Sequence, residues 1–483
     1  MLLQGFIAQC RLRPQACALQ EGERRFSYLE LYQRAQRLAG ILQAKGVGPG
    51  SLVAIALERG IDASVAVFGT LLSGAAYLPL DLNSPPQRLA FICTDSGATL
   101  TLGNTAAPTW SCADRWLQLS ASAEAEFKPT PIRPDALAAV LYTSGSTGQP
   151  RGVALSYSAI GAFADWATKL VNLGPGDRIA GSAPLFFDLS TFDLYAVLCA
   201  GACLCFVPPG LTLSPARLSA WLAQTGVTGW YTVPALLSFL AYKGNLADTP
   251  LPALRFLLFA GEAFSPPALI ALSQALPRVE LFNLFGPTET NVCCYWQVQR
   301  SRLQADQAIP IGVAAAGCSL HIEQDNGELW VRGPTLAKGY WQAGRLQPML
   351  NSLGWYQTGD KVSRQHGELQ FHGRLGRMLK CSGYRVEPAE LEAAVCSVPG
   401  VAACAVVGLP DLTAGQRPAV AWVSAGADIT AIREALSRRL PAYMQPSRFI
   451  RLDELPRLAN GKLDYVGLTA RFHADTLPKQ PAG

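Results

Sequence analysis

Apolar positions along the chain recur with two periods. Over 26–45 they fall at Leu29, Leu31, Tyr32, Leu38, Ile41 and Leu42, the spacing of one helix face. Ser27, with Glu30 three residues on, is the pairing that closes a helix N-terminus. SLVAIAL (51–57) reads as a strand, 63–73 as an apolar helix, and 75–92 as a strand, a Pro/Asn turn and a new helix. After a Pro-rich link at 128–134, the run 136–142 is short and apolar enough for a buried strand, and 157–171 is helical. Strands alternating with helices predict an α/β fold with a largely parallel sheet.

Three later runs share one design, an apolar strand that ends in a polar or Gly-bearing loop. They are WYTVPALLSFL (230–240), LRFLLFAGEAF (254–264) and LFNLFGPTETNVCCYW (281–296). Between the first helical half and these runs lies FFDLSTFDLYAVL (186–198), which sets Asp188 and Asp193 among aromatics. Ligand crevices in parallel sheets lie at the carboxyl ends of strands, so Asp188, Gly261–Glu262 and Gly286–Glu289 are candidates for one cleft. Further on, 327–341 alternates like strands with Gly turns, and WYQTGD (355–360) predicts an acidic residue after a tight turn. The character then changes. A helix start at 387–395, strands at 401–409 and 417–425 and an amphipathic helix at 429–440 form a second unit of about 100 residues, enough to fold alone. Beyond Thr469 no core pattern is visible, which predicts a mobile tail.

The stretch VLYTSGSTGQPRGV (140–153) carries the first candidate chemistry. Gly145, Gly148 and Gly152 let backbone approach a ligand, and Thr143, Ser144, Ser146 and Thr147 add hydroxyl donors. A strand running into such a loop can wrap nucleotide phosphates, although GSTGQPRG does not fit the common P-loop pattern. Taken by itself, a Ser/Gly surface loop accounts for the stretch equally well.

Composition narrows the classes. Hydrophobic residues make up 49% and charged residues 16%, a globular balance, and the net charge of +5 over 483 residues demands neither nucleic acid nor an anionic membrane. The 13 cysteines are scattered through apolar runs with no CxxC spacing, which predicts buried thiols in a reducing compartment and no zinc site. The four histidines read as surface or packing residues. No apolar run reaches the ~20 residues a membrane span needs, and no targeting segment is evident, so a cytoplasmic protein is expected.

YTSGSTGQPRG, FFDLSTFD, NLFGPTETN, YQTGD, GRLGRMLKCSGYRVEP, LPAYMQP and LANGKLD follow one another in the order and spacing of adenylate-forming enzymes. From about residue 5 to 468 the chain resembles that family, and within it the amino-acid adenylation domains of nonribosomal peptide synthesis. The resemblance implies a large N-terminal α/β domain of layered, mostly parallel sheets (1–374), a small mobile α+β C-terminal domain (375–470) and a tail (471–483) that is not ordered. It also implies ATP and Mg2+ as cofactors. An amino-acid carboxylate attacks the α-phosphate of ATP, and a phosphopantetheine thiol then takes the acyl group. Such a first step asks for alignment and charge stabilisation, since a carboxylate is already ionised at neutral pH.

Roles carry over position by position. Thr143, Ser144, Gly145, Ser146, Thr147 and Gly148, with Arg151, would hold the β- and γ-phosphates. Glu289 would ligate magnesium. Asn283, Phe285, Gly286, Thr288 and Gly261, Glu262 and Ala263 would bound the nucleotide, and Asp360, with Arg374 nearby, would accept the ribose hydroxyls. Lys462 would reach the reacting carboxylate and α-phosphate. Thr143, Glu289 and Lys462 thus form the expected catalytic set. Two positions depart from the family: Arg151 stands where lysine is usual, and Gly376 stands where an aspartate usually marks the hinge.

At the positions that select substrate the chain carries Asp188, Leu189, Phe192, Tyr231, Leu258, Ala260, Leu284, Val292 and Cys293, with Lys462 closing the set. Asp188 would pair with the substrate's α-ammonium, and no second charge is offered, which favours a compact aliphatic amino acid. The set is similar to that of prolyl-adenylating enzymes, which load L-proline on a carrier protein before its oxidation to a pyrrole; Phe192 stands where leucine is expected. Another small aliphatic amino acid, an acyl-CoA ligase and a nucleotide-binding regulator without chemistry remain alternatives. With no HHxxxDG and no GGxS stretch in the sequence, a phosphopantetheinylated peptidyl carrier protein is expected to act in trans. Arg433, Arg438, Arg439, Arg448, Arg451 and Arg457, against Glu434, Asp453 and Glu454, suit docking of an acidic carrier, or a plain solvated face.

Overall fold

A computed structural model describes residues 2–111, 113–119, 125–145, 148–411, 415–424, 426–458 and 462–474. The chain divides into two compact units. The first holds residues 1–82, 91–142 and 152–375; the second holds 83–90, 143–151 and 376–483.

Among the described residues the first unit contains a nine-stranded and an eight-stranded sheet, both mainly parallel with antiparallel edges. The helix Ile61–Leu72 touches strands of both, and every side chain from Ala63 to Leu72 is buried. It lies between the sheets, which is why its sequence is apolar all round and not amphipathic. Its neighbour, Tyr28–Ala44, begins as the sequence predicts: Ser27 accepts from Glu30 N, and the Glu30 carboxylate takes the Ser27 N–H at 2.7 Å.

The nine-stranded sheet is covered on both faces. Along the strand Phe256–Phe259, Phe256 and Leu258 face one apolar core while Leu257 and Phe259 face another, the period-two alternation of a strand. The second core is closed by the helices Pro215–Thr225, Pro234–Lys243 and Pro266–Ala275, each with a proline in its first turn. A small antiparallel sheet of Ser319–Ile322, Glu328–Arg332, Tyr356–Gln365 and Glu368–Arg374 completes the unit. The acidic residue expected after a tight turn, Asp360, instead sits inside the ten-residue strand Tyr356–Gln365. Gly359, at φ +72°, bends that strand locally without ending it.

The second unit has its own sheet, built on the long antiparallel pair Val401–Asp411 and Gly415–Ser424, with Arg448–Arg451 added in parallel. The helices Pro388–Cys396 and Ile429–Arg439 cover one face. Tyr465–Ala474 covers the other and buries Phe472 among Val407, Leu409 and Leu455. The expected tail therefore begins too early. A boundary at 470 cuts this last helix, which is anchored by one aromatic too isolated to register as a pattern. Residues 475–483 of that tail lie outside the described residues.

Candidate active site

The strands Gly229–Thr232, Phe256–Phe259 and Glu280–Phe285 run parallel and side by side, with Tyr231, Leu258 and Phe282 in register and Thr232, Phe259 and Asn283 one step further. Arg178–Gly181 pairs alongside. Three of these strands release at their carboxyl ends the loops that carry Asp188, Ala260–Ala263 and Gly286–Cys293, the end of a parallel sheet where ligands bind.

Leu189, Phe192, Tyr231, Leu258, Ala260, Leu284 and Val292 are all buried and belong to one apolar cluster. Phe192 and Tyr231 meet edge to face, ring centroids 5.6 Å apart. The π-helical turn Phe192–Ala196 begins three residues past Leu189, just beyond Asp188 in the chain, a widening common at functional sites. Burial pushes the Tyr231 hydroxyl well above its ordinary pKa, and the charges of Asp188 and then Asp193 add to that shift, so both carboxylates act on this hydroxyl. Asp188 is half-buried; Asp193 is buried, and burial lifts its pKa well above the usual carboxylate range although Arg59 and the Ala183 N–H act against the shift. Cys293 is the exception among the candidates. Its side chain packs with Cys294, Ile311 and Cys318 in a neighbouring cluster, and its thiol bonds Phe285 O. Cys293 directly follows the wall residue Val292, and adjacent side chains of extended chain point to opposite sides.

Apart from Asp360 and Arg374, which lie on the small antiparallel sheet, the nucleotide candidates in this unit fall on the same strand ends. Gly261 is left-handed at φ +101°. Glu262 accepts Ala235 N–H at 2.7 Å, in the first turn of Pro234–Lys243. The next residue, Ala263, lies on the same loop. Asn283 donates to Pro310 O at 2.8 Å, and the Phe285 ring lies 5.7 Å from Phe371. A Cβ on Gly286 would meet Asn291 O at 1.9 Å, so the GPTETN loop closes on itself only with glycine there. Thr288 O accepts the Asn291 N–H inside that loop. Asp360 is buried and receives Arg374 Nη1 at 2.8 Å from the adjacent strand; Arg374 Nε, also buried, has no hydrogen-bond partner among the described residues.

Glu289 is completely buried and accepts the Tyr340 hydroxyl at 3.0 Å. Tyr340 lies fifty-one residues away, on Gly339–Gln342, and nothing local in the sequence announces it. Among the described residues no cluster of three His, Cys, Asp or Glu could hold a metal ion alone. A single buried carboxylate is the donor set that magnesium takes when substrate phosphates and waters supply the rest, and Glu289 suits it.

In the second unit Thr143 Oγ1 is buried with no hydrogen-bond partner among the described residues, the state expected of a hydroxyl that awaits a ligand oxygen. Ser144 donates to Arg385 O at 2.8 Å, and Gly145 N–H to Glu390, which also forms a buried ion pair with Arg88 at 2.9 Å. Gly148 is left-handed, and Arg151 is half-buried at the start of Arg151–Ser156. Ser146 and Thr147 lie outside the described residues. The two units divide between Leu375 and Gly376, and a side chain at Gly376 would meet nothing within 4 Å. Lys462 is exposed, and its carbonyl accepts Leu458 N–H at 2.8 Å.

Residues 6–341 match the AMP-binding enzymes and residues 390–462 their C-terminal domain. The chain belongs to this family of adenylate-forming ligases. It is 36% identical to an L-proline–[L-prolyl-carrier protein] ligase of Pseudomonas fluorescens, over 94% of this chain and 96% of that protein. A Streptomyces coelicolor protein of the same name is 34% identical over 92% of each. Among solved structures, a nonribosomal peptide synthetase protein with adenylation and carrier domains, bound to a vinylsulfonamide inhibitor, superposes with a TM-score of 0.83 at 27% identity, covering 97% of this chain and 84% of that one. No helix among the described residues is long and apolar enough to cross a membrane.

Proposed function

We propose that the chain activates L-proline as prolyl-AMP and transfers the prolyl group to the phosphopantetheine thiol of a separate carrier protein in the cytoplasm. One observation carries the reading: a half-buried carboxylate, Asp188, borders a wall of Leu189, Phe192, Tyr231, Leu258, Ala260, Leu284 and Val292 that holds no other ionised group. Asp193, the second acid that acts on Tyr231, is buried, with Arg59 and the Ala183 N–H acting on it, whereas Asp188 is only half-buried. An amino acid whose side chain is a compact ring, and whose only cation is its ammonium, matches that distribution. Two relatives named for proline, similar over nearly their whole length, support it.

In the first half-reaction a proline carboxylate oxygen bonds the α-phosphorus, the bond to the bridging oxygen breaks, and pyrophosphate leaves. Thr143, Ser144, Gly145, Ser146, Thr147, Gly148 and Arg151 would hold the phosphates. Gly261–Ala263, Asn283, Phe285, Gly286 and Thr288 would bound the adenine, Asp360 and Arg374 the ribose. Glu289 would hold magnesium, which offsets phosphate charge when bound. Lys462 would stabilise the negative charge that develops between carboxylate and phosphate. In the second, the thiol sulfur bonds the acyl carbon and AMP departs, and we place the thioester before an oxidation to a carrier-bound pyrrole.

Pyrophosphate exchange into ATP, scanned over amino acids and simple carboxylic acids, tests this. Exchange that is strongest with proline is expected. Preference for another aliphatic amino acid corrects the substrate, since one methylene separates substrates by only ~1–3 kcal/mol in an apolar pocket. Exchange with acids that lack an ammonium indicates an acyl-CoA ligase, and none at all overturns the enzymatic reading.

A further inference from the structure

We infer that Asn291 is a positioning residue that fixes Asp188, through Thr191, in register with the GPTE loop. The inference rests on the reading of Asp188 given above and adds to it a positioning device.

The geometry is a two-step relay inside the protein. Asn291 Nδ2 donates to Thr191 Oγ1 at 3.0 Å, and Thr191 Oγ1 donates to Asp188 O at 2.6 Å; Thr191 N–H reaches the same carbonyl at 2.9 Å. Thr191 is fully buried and Asn291 nearly so. The direction of the relay is forced. The Thr191 hydroxyl has one proton and gives it to Asp188, so toward Asn291 it can only accept, and the amide must present its NH2. Buried groups of this kind act as one unit, because the loss of any member leaves another unsatisfied.

Asn291 belongs to the loop that carries Gly286 and Glu289, and it immediately precedes the wall residue Val292. Its carbonyl packs where a Cβ of Gly286 would stand. One side chain thus ties the turn that offers the substrate its counter-charge to the loop that faces the nucleotide. At φ +53° asparagine is also among the few non-glycine residues that sit comfortably, which is the competing, purely backbone explanation for its presence.

Steady-state exchange separates the two explanations. Asn291→Gly keeps the left-handed backbone and removes the donor. A backbone role predicts wild-type kinetics for it, whereas positioning predicts a KM for proline about five- to tenfold higher, the worth of one buried hydrogen bond, with the KM for ATP unchanged. Asn291→Asp, also tolerant of positive φ, should be worse than Asn291→Gly, since it sets a carboxylate against an oxygen with no proton left to give. Thr191→Val should match Asn291→Gly, the double variant should be no worse than either alone, and Thr191→Ser should restore wild-type values. A wild-type proline KM in Asn291→Gly, or an ATP KM that rises in step with it, overturns the inference. If the wild-type protein prefers another amino acid, the same comparison is made with that substrate, because the ammonium is common to all. If it activates none, the reading of Asp188 fails first and the relay falls with it.

Discussion

At the scale of single residues, two aspartates five positions apart face opposite fates. Asp188 is half-buried at the edge of the apolar wall. With proline bound it would be desolvated, and breaking a desolvated ion pair costs ~3–5 kcal/mol. Asp188→Ala is therefore expected to lose proline-dependent exchange by about a hundredfold or more while ATP binding, followed by equilibrium titration, is kept. Equal exchange in the variant would sink the pocket assignment. Asp193 is buried, with Oδ1 unbonded among the described residues, and its folded pKa lies well above the ordinary value of about 3.9. Below that value both folded and unfolded chains carry the proton. As pH rises past it the unfolded chain ionises while the folded one does not, so the wild type loses stability until its folded pKa is passed. Asp193→Asn has no such loss. Its urea midpoint should gain on the wild type more at about pH 8 than at about pH 5, and parallel midpoints would show that Asp193 is ionised in the fold.

At the scale of elements, legibility followed distance along the chain. The helix Tyr28–Ala44 and its capping box could be read because Ser27, Glu30 and the apolar stripe are neighbours. The strand ends that carry Gly261, Gly286 and Glu289 could be read because each apolar run stops where its loop begins. What escaped was set by pairing or by the side that a neighbouring residue faces. Asp360 lies within a strand because Tyr356–Gln365 pairs on both sides, with Glu328–Arg332 and with Glu368–Arg374, and no local signal encodes either partner. Tyr340 finds Glu289 through the sheet, and Cys293 packs elsewhere because its neighbour Val292 takes the wall. The GPTETN loop yields the prediction at this scale. Gly286→Ala would force its Cβ to within 1.9 Å of Asn291 O, a separation that backbone cannot absorb. The loop must open, displacing Glu289 and Val292 together, so exchange with every substrate should collapse while far-UV circular dichroism stays native. A variant that retains exchange would show the loop's shape to be dispensable.

At the scale of the whole molecule, the chain folds as two units that each have a core of their own. The first buries its apolar residues between and outside two sheets; the second has separate clusters on the two faces of its own sheet. Lys462 belongs to the second, in a stretch where Arg457 bridges Leu463 and Leu458 N–H bonds the Lys462 carbonyl. The Lys462 side chain is exposed, and truncating an exposed side chain usually changes stability by no more than about 0.5 kcal/mol. Its proposed role is to place a compact positive charge on the forming acyl phosphate, and removing such a group from an enzyme typically costs roughly 10²–10³ in kcat. Lys462→Ala is therefore expected to lose exchange by that factor with an unchanged melting temperature and unchanged ATP affinity. Lys462→Arg should recover little, since a planar, bulkier head cannot occupy the place of a point charge. Exchange within tenfold of wild type in Lys462→Ala would mean that the first unit performs adenylation without a cation from the second, and the division of labour between them would have to be redrawn.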